Sequence, residues 1–231
     1  MIIQVLCNLF EEGYQRRERD SSISPFFAGA NVAFRRQALD QIGRYDESCA
    51  SGEDQDMWLR ITEARWEAYF EPKAAVRHKN RLTVRSLIRQ WFRYGYHHPY
   101  VTMKHGSRGV RVYRRSSTKQ KGAIYDCLLT ARFPFDATLF LTSFLLMHAF
   151  FALAVLFAAL TLGIPAIVMG ILALVLAVRY FRSDIDMRHP LQAFSFVFLR
   201  YIANLALLLG GLLGGMRLGM LYVSPTFDYK A

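Results

Sequence analysis

The residues best placed to do chemistry lie in "SGEDQDMW", residues 51–58, where Glu53, Asp54 and Asp56 fall within four positions. Carboxylates crowded in this way can open a helix, hold a cation, or take a proton from a hydroxyl. Ser51 and Asp54 have the spacing of a capping box, and acids in a first turn favour the helix dipole. In isolation, capping alone accounts for Glu53 and Asp54. Met57, Ile61 and Ala64 follow at helical spacing, so the acids stand at the start of a helix within "EDQDMWLRITEARW". A carboxylate held there by backbone amides is well placed to act as a general base. Asp56, turned away from Asp54, reads as a solvated residue.

The elements around this stretch must position it. Residues 1–19 loosely alternate apolar and charged residues, as an amphipathic helix does. "FFAGANVAF" reads as a strand or strand-turn, with Gly29 where backbone must approach something closely. "RRQALDQIG" reads as a short helix closed by Gly43, and "DESCASG" as a loop. "EAYFEPKAAVRHKN" reads as a strand, an interruption at Pro72, and a second strand carrying Val76 and His78. "TVRSLIRQWFRYGYHH" is a helix rich in arginine and aromatics, with Gln90 and Arg93 on one face. Arg35 and Arg36 face solvent or a phosphate.

Charge divides the chain. Its 231 residues carry 29 Lys and Arg against 18 Asp and Glu, a formal net charge of +11 and an isoelectric point near 9.8. That balance suits an anionic partner. Nearly all the charge lies in residues 1–136, and residues 137–231 are mostly Leu, Ala, Phe, Val and Gly. The break predicts a soluble head followed by a membrane region. Residues 137–164 contain no Lys, Arg, Asp or Glu, and a bilayer core of about 30 Å needs about 20 such residues as helix. Three helices are expected, at 137–162, 164–181 and 193–221, the first two forming a hairpin with Gly163 and Pro165 at its turn. Arg200 and Arg217 in the third are read as snorkelling toward its ends. Gly210-Gly211 and Gly214-Gly215 are spaced for close helix packing.

Basic flanks at Lys119, Lys121 and Arg132, and at Arg179, Arg182 and Arg188, place both sides of the hairpin in the cytoplasm. The expected location is therefore the inner cell membrane, multi-pass, with a cytoplasmic head and the tail after the third helix outside. The basic run 104–121, carrying Lys104, Arg108, Arg111, Arg114, Arg115, Lys119 and Lys121, reads as an anionic-lipid contact. Sparse aromatics there and no nucleic-acid fold signature argue against nucleic acid. Cys7, Cys49 and Cys127 are odd in number and widely spaced, so reduced thiols are expected rather than a disulfide framework. The N-terminus lacks the basic start and long apolar core of a signal peptide.

Taken in order, "GANVAFRR", "IGRYDE", "GEDQDMWLR", "YFEPKAAVRH" and "QWFRYG" resemble the family 2 glycosyltransferases, inverting enzymes of the GT-A fold, over residues 26–97. The resemblance implies an α/β fold: a partial, Rossmann-like GT-A head at residues 1–100, a basic juxtamembrane segment at 101–136, and the transmembrane region at 137–231. It implies Asp54 as catalytic base, with Glu53 supporting it or lining the acceptor site. Gly29, Ala30 and Asn31 match the glycine loop beside the donor sugar. Gln90 and Arg93 match the QxxRW signature, with Tyr94 where the family has Trp. An arginine there can stabilise charge on the departing nucleoside diphosphate. His78 stands where many such enzymes place a histidine that ligates the metal.

The family normally holds Mg²⁺ or Mn²⁺ with a DxD motif upstream of the glycine loop. The acids before Gly29 are Glu11, Glu12, Glu18 and Asp20, and they form no such motif. Asp184 and Asp186 spell "DID" between apolar segments and do not correspond. The chain is therefore expected to be the acceptor half and anchor of a longer enzyme that transfers sugar from a nucleotide-diphospho donor to a glycan or lipid-linked acceptor. The alternative is a non-catalytic membrane subunit or scaffold of a glycan synthase, which predicts glycan binding without nucleotide binding.

Overall fold

The computed structural model describes residues 29–69, 71, 73, 74, 76, 81, 83–106, 108–115, 125–182 and 190–225. The expected helix at 1–19 and the metal-ligating role of His78 lie outside them.

Among the described residues, three helices make the polar part. Helix α1 is Arg36–Ile42 and ends at Gly43, whose φ of 81° favours glycine. Helix α2 is Glu53–Glu63, and helix α3 is Val84–His105. Met57 and Ile61 of α2 are buried against Val32, Phe34, Leu39, Ile42 and Trp66, which seats α2 on α1 and the chain before it. Helix α3 starts at a reciprocal cap between Thr83 and Ser86. The strands expected in the head are not found among the described residues. Residues 29–31 form a turn, 32–35 are irregular, and Tyr69 alone takes part in a bridge.

A sheet forms elsewhere, in the expected juxtamembrane segment and its continuation. Strand β1 is Val110–Arg115, β2 is Tyr125–Ala131 and β3 is Asp136–Leu141. Helices α4 (Ser143–Ala159), α5 (Gly163–Arg182) and α6 (Pro190–Arg217) follow, and then β4 (Met220–Val223). The strand order is β2-β1-β3-β4. β1 and β2 are antiparallel, while β1, β3 and β4 run parallel. This corrects two expectations. The first apolar segment opens as a β-strand, so its helix starts at Ser143 rather than 137. The third ends in a two-residue turn and β4, so the chain after α6 returns to pair with β3. Apolar runs on a buried strand and on a helix share the same composition, which is why periodicity does not separate them.

The α4–α5 hairpin is present, but its turn is at Thr161–Leu162: Gly163 and Pro165, expected at the turn, lie in the first turn of α5, where the missing proline N–H is tolerated. Thr142 is the single residue between β3 and α4, and its side chain accepts from the Leu145 amide at 3.3 Å. Two helices, Gly163–Phe181 and Phe194–Arg217, are long and apolar enough to cross a membrane, and α4 is a shorter apolar helix.

Helix α6 packs along α3, and the paired glycines allow it. A Cβ on Gly210 would come within 2.2 Å of the Phe92 carbonyl oxygen, one on Gly214 within 2.1 Å of that of Tyr96, and one on Gly95 within 2.1 Å of that of Leu207. The backbones touch directly, as small-residue interfaces permit. Arg200 does not snorkel. It is fully buried, its Nη2 donates to the Tyr180 carbonyl at 2.7 Å, and its guanidinium lies 4.2 Å from the Tyr180 ring centre. Asn204 Nδ2 donates to the Tyr180 hydroxyl at 2.8 Å, and His148 Nε2 meets the Tyr201 hydroxyl at 2.8 Å. This polar set ties the base of the α4–α5 hairpin to α6. Arg217, at the end of α6, lies 5.8 Å from the Tyr96 ring centre.

Candidate active site

The first turn of α2 presents Asp54 to the turn at residues 29–31. Asp54 Oδ2 accepts from the Gly29 amide at 3.2 Å, across 25 residues of sequence, and Oδ1 accepts from the Gln55 amide at 2.8 Å. Each carboxylate oxygen is thus oriented by a backbone N–H. Glu53 lies beside them, with its Oε1 3.9 Å from where a Gly29 Cβ would stand. That Cβ would meet Asp54 Cβ at 3.5 Å, an ordinary contact. Gly29 therefore matters here for its amide rather than for clearing space against α2.

Gly52 is the N-cap, with φ 86°, and no side chain caps the helix. The expected Ser51–Asp54 capping box is absent because Asp54 turns to Gly29 and Ser51 is buried. A left-handed N-cap sends the chain sharply into α2. Its Cβ position is 3.2 Å from Val101 on α3, so the turn is also tight against that helix.

Ala30 and Asn31 are exposed in the turn, and Asn31 Nδ2 donates to the Ala74 carbonyl at 2.7 Å. That bond joins the glycine turn to the segment after α2. On α3, Gln90 Nε2 donates to the Tyr94 hydroxyl at 2.7 Å, and Tyr94 meets Trp91 edge-on at 5.4 Å. Arg93 is exposed, and its Nη2 donates to the Ala50 carbonyl at 2.8 Å, in the loop leading into α2. The two signatures, far apart in sequence, share one neighbourhood through this bond.

Three residues escaped the sequence reading. Tyr45 sits by the acids: burial, then the charges of Asp54 and Glu53, push its phenol above the ordinary range. Its ring is 41 % exposed and meets Phe34 edge-on, which leaves an aromatic surface beside the carboxylates. The "IGRYDE" match was the available signal. The second is Asp56, which is not solvated but fully buried. Its Oδ2 accepts from Arg60 Nε at 3.0 Å and Nη2 at 2.9 Å, and its Oδ1 from Lys104 Nζ and His105 Nε2, both at 2.8 Å. The third is Asp46, which takes Lys104 Nζ at 2.6 Å and the Tyr100 hydroxyl at 3.0 Å. Lys104 and Asp56 thus bolt the C-terminal end of α3 to α2. Burial alone would raise the Asp56 carboxyl, but hydrogen bonds from Lys104 and His105 and the charge of Arg60 outweigh it and hold it below the usual range. Lys104 is raised in turn, its two carboxylates overcoming desolvation.

Among the described residues no group of three His, Cys, Asp or Glu side chains converges to hold a metal ion. Asp54, Asp56 and Asp46 are engaged by amides, hydroxyls and cations, so among the described residues they form no cradle for Mg²⁺ or Mn²⁺.

A carboxylate oriented by amides at a helix start, with an aromatic beside it and a basic helix at its edge, is suited to taking a proton from a hydroxyl. Residues 17–210 match the family model for glycosyl transferase family group 2, so the chain belongs to that family. Searches among curated proteins and solved structures found no match.

Proposed function

We propose that this chain serves inverting sugar transfer from a nucleotide-diphospho donor to a glycan or lipid-linked acceptor, with Asp54 as the base. The observation that carries the reading is the convergence of Asp54 with the Gly29 amide and, through Ala50, with Arg93. In one displacement the acceptor oxygen bonds to the anomeric carbon while the bond from that carbon to the diphosphate oxygen breaks. The acceptor proton passes to Asp54, and the electron pair leaves with the nucleoside diphosphate. The Gly29 and Gln55 amides hold the Asp54 carboxylate in the orientation that proton transfer needs. Arg93 is exposed, and on exchanging the Ala50 carbonyl for a diphosphate its charge would stabilise the leaving group. Tyr45 offers a face on which a sugar can stack. The apolar helices support attachment at a membrane, where a lipid-linked acceptor would be presented.

The test is Asp54→Asn, made in the chromosomal copy, with transfer from radiolabelled nucleotide-diphospho sugars measured in isolated membranes. A fall of about 10²–10⁴-fold is expected for loss of a general base, with unchanged protein abundance. Retained transfer removes Asp54 from the role.

A further inference from the structure

We propose that the outer face of the four-stranded sheet rests on an anionic lipid surface, so that the sheet is a membrane contact separate from the apolar helices. The strand register supplies the argument. Residues paired across a sheet lie on the same face. One cross-strand row is Val110, Ala131, Ala137 and Leu221, and another is Val112, Leu129, Leu139 and Val223. Every member of both rows is apolar. The intervening row, on the opposite face, is Arg111, Thr130, Thr138 and Tyr222. Three of its four members are turned inward, and Thr130 on the edge strand is exposed. Arg111, Thr138 and Tyr222 are buried, Arg111 reaching Gly106 at the end of α3 and Tyr222 lying against Gly211 and Gly215 of α6.

A sheet with one face in water carries its apolar residues inward and its polar ones outward. This sheet instead keeps an all-apolar face that is open at its edges, while Arg111 and Thr138 lie on the other face with the aromatics Tyr113, Phe140 and Tyr222. An open apolar face is stable when the outer medium is itself apolar. Leu129 and Leu221, on strands at opposite edges of the sheet, are 50 % and 47 % exposed, while Ala137 and Val223 in the same rows are buried, so the open part of the face lies at its edges.

The rim identifies that medium. Where β1 begins and β2 ends, Arg108 and Arg132 are exposed, and the turn from β2 to β3 projects Phe133 and Phe135, each more than half exposed. Aromatics with arginines around an apolar patch are the composition of a lipid headgroup boundary, and the sign of the charge selects anionic lipid. Arg114, whose register partners are Asp126 and Leu141, closes the far end of the face. The sheet is also continuous with the apolar hairpin, since β3 enters α4 through Thr142 alone.

Single nitroxide labels test this. They are placed at Leu129→Cys, Leu221→Cys and, as a control, the exposed Glu47→Cys, in the full chain with Cys7 and Cys127 replaced by serine. The chain is reconstituted in phosphatidylcholine vesicles with and without phosphatidylglycerol. In the anionic vesicles, labels 129 and 221 should be relaxed by oxygen and shielded from a water-soluble nickel chelate, with the opposite at 47. Nickel access at 129 and 221 should rise at least severalfold without phosphatidylglycerol, or when Arg108→Glu and Arg132→Glu are introduced. Free nickel access in anionic vesicles overturns the proposal. Shielding from oxygen and nickel together also overturns it, since another protein segment or a second copy then covers the face. Indifference to lipid charge and to the arginine variants overturns the anionic requirement.

Discussion

Replacing Asp56 by asparagine isolates the joint between α2 and α3. The carboxylate is fully buried and receives four donor contacts from Arg60, Lys104 and His105, all at 2.8–3.0 Å. Asparagine keeps the shape, removes the charge, and points an N–H₂ at cations. Taking one partner from a buried ionic group costs about 3–5 kcal/mol. Here the cations keep other acceptors: Lys104 retains Asp46, and Arg60 retains the carbonyls of Ile42 and Arg44 at 2.9 and 2.8 Å. The expected loss is therefore near the lower end, about 3 kcal/mol. For a chain of this size that lowers Tm by about 6–12 °C. The assay is thermal unfolding in detergent followed by tryptophan fluorescence, to which Trp58 within α2 contributes locally. Lys104→Met is measured alone and in combination. A double variant no worse than the sum minus about 1 kcal/mol of coupling is expected for groups in contact. A Tm loss under about 2 °C, or strict additivity, would refute the claim that this pair holds the helices together.

The remaining expectations concern other parts of the chain. The Asp56 carboxyl is lowered on folding, so its contribution is present above the ordinary carboxylate value of about 3.9 and lost as pH falls through the lower folded value. Lys104 is raised, so its contribution holds below about 10.4 and is lost as pH climbs beyond it. The Asp56 and Lys104 contributions should be constant between these limits, and Asp56→Asn should flatten the acid limb. Gly95→Val drives a side chain into the Leu207 backbone and should part α3 from α6, at a cost of at least about 3 kcal/mol by overpacking. Loss of a disulfide between cysteines introduced at facing α3 and α6 positions would report it. Burial, with the nearby Asp56, Glu53 and Asp46 charges, pushes the Cys49 thiol up to about 11. Iodoacetamide at pH 8 should therefore modify exposed Cys127 and spare Cys49, as read by peptide mass.

Local signals made part of this fold legible. Helix α1 and its Gly43 stop, α2 behind the acids, α3 and the α4–α5 hairpin each follow from periodicity and a terminating residue within one short window. The joining of Asp54 to Gly29 followed from ordered motifs rather than from spacing. The sheet did not show. Its rows join strands far apart in the chain, as in Ala137 beside Leu221, 84 residues on, and β1 lies in what reads as a basic run. Asp56 was misjudged for the same reason: on its own helix it points away from Asp54, and only α3, 48 residues on at Lys104, turns that side into an interior.

Strand β4 also limits how the chain can be threaded through a bilayer. It lies beside β3, which leads into α4, so the chain enters and leaves its three apolar helices on the same side. Any path between two points on one side makes an even number of passages, and three helices cannot all be passages. Helix α6 is the one clasped by α3, whose Arg85, Arg89 and Arg93 are exposed along one stripe and would be costly in hydrocarbon. Helices α5 and α6 are long and apolar enough to cross and α4 is shorter, so if the helices enter a bilayer an even count leaves one of them, α4 or the α3-clasped α6, at the near boundary. Four residues of strand thus decide the parity of any such crossing.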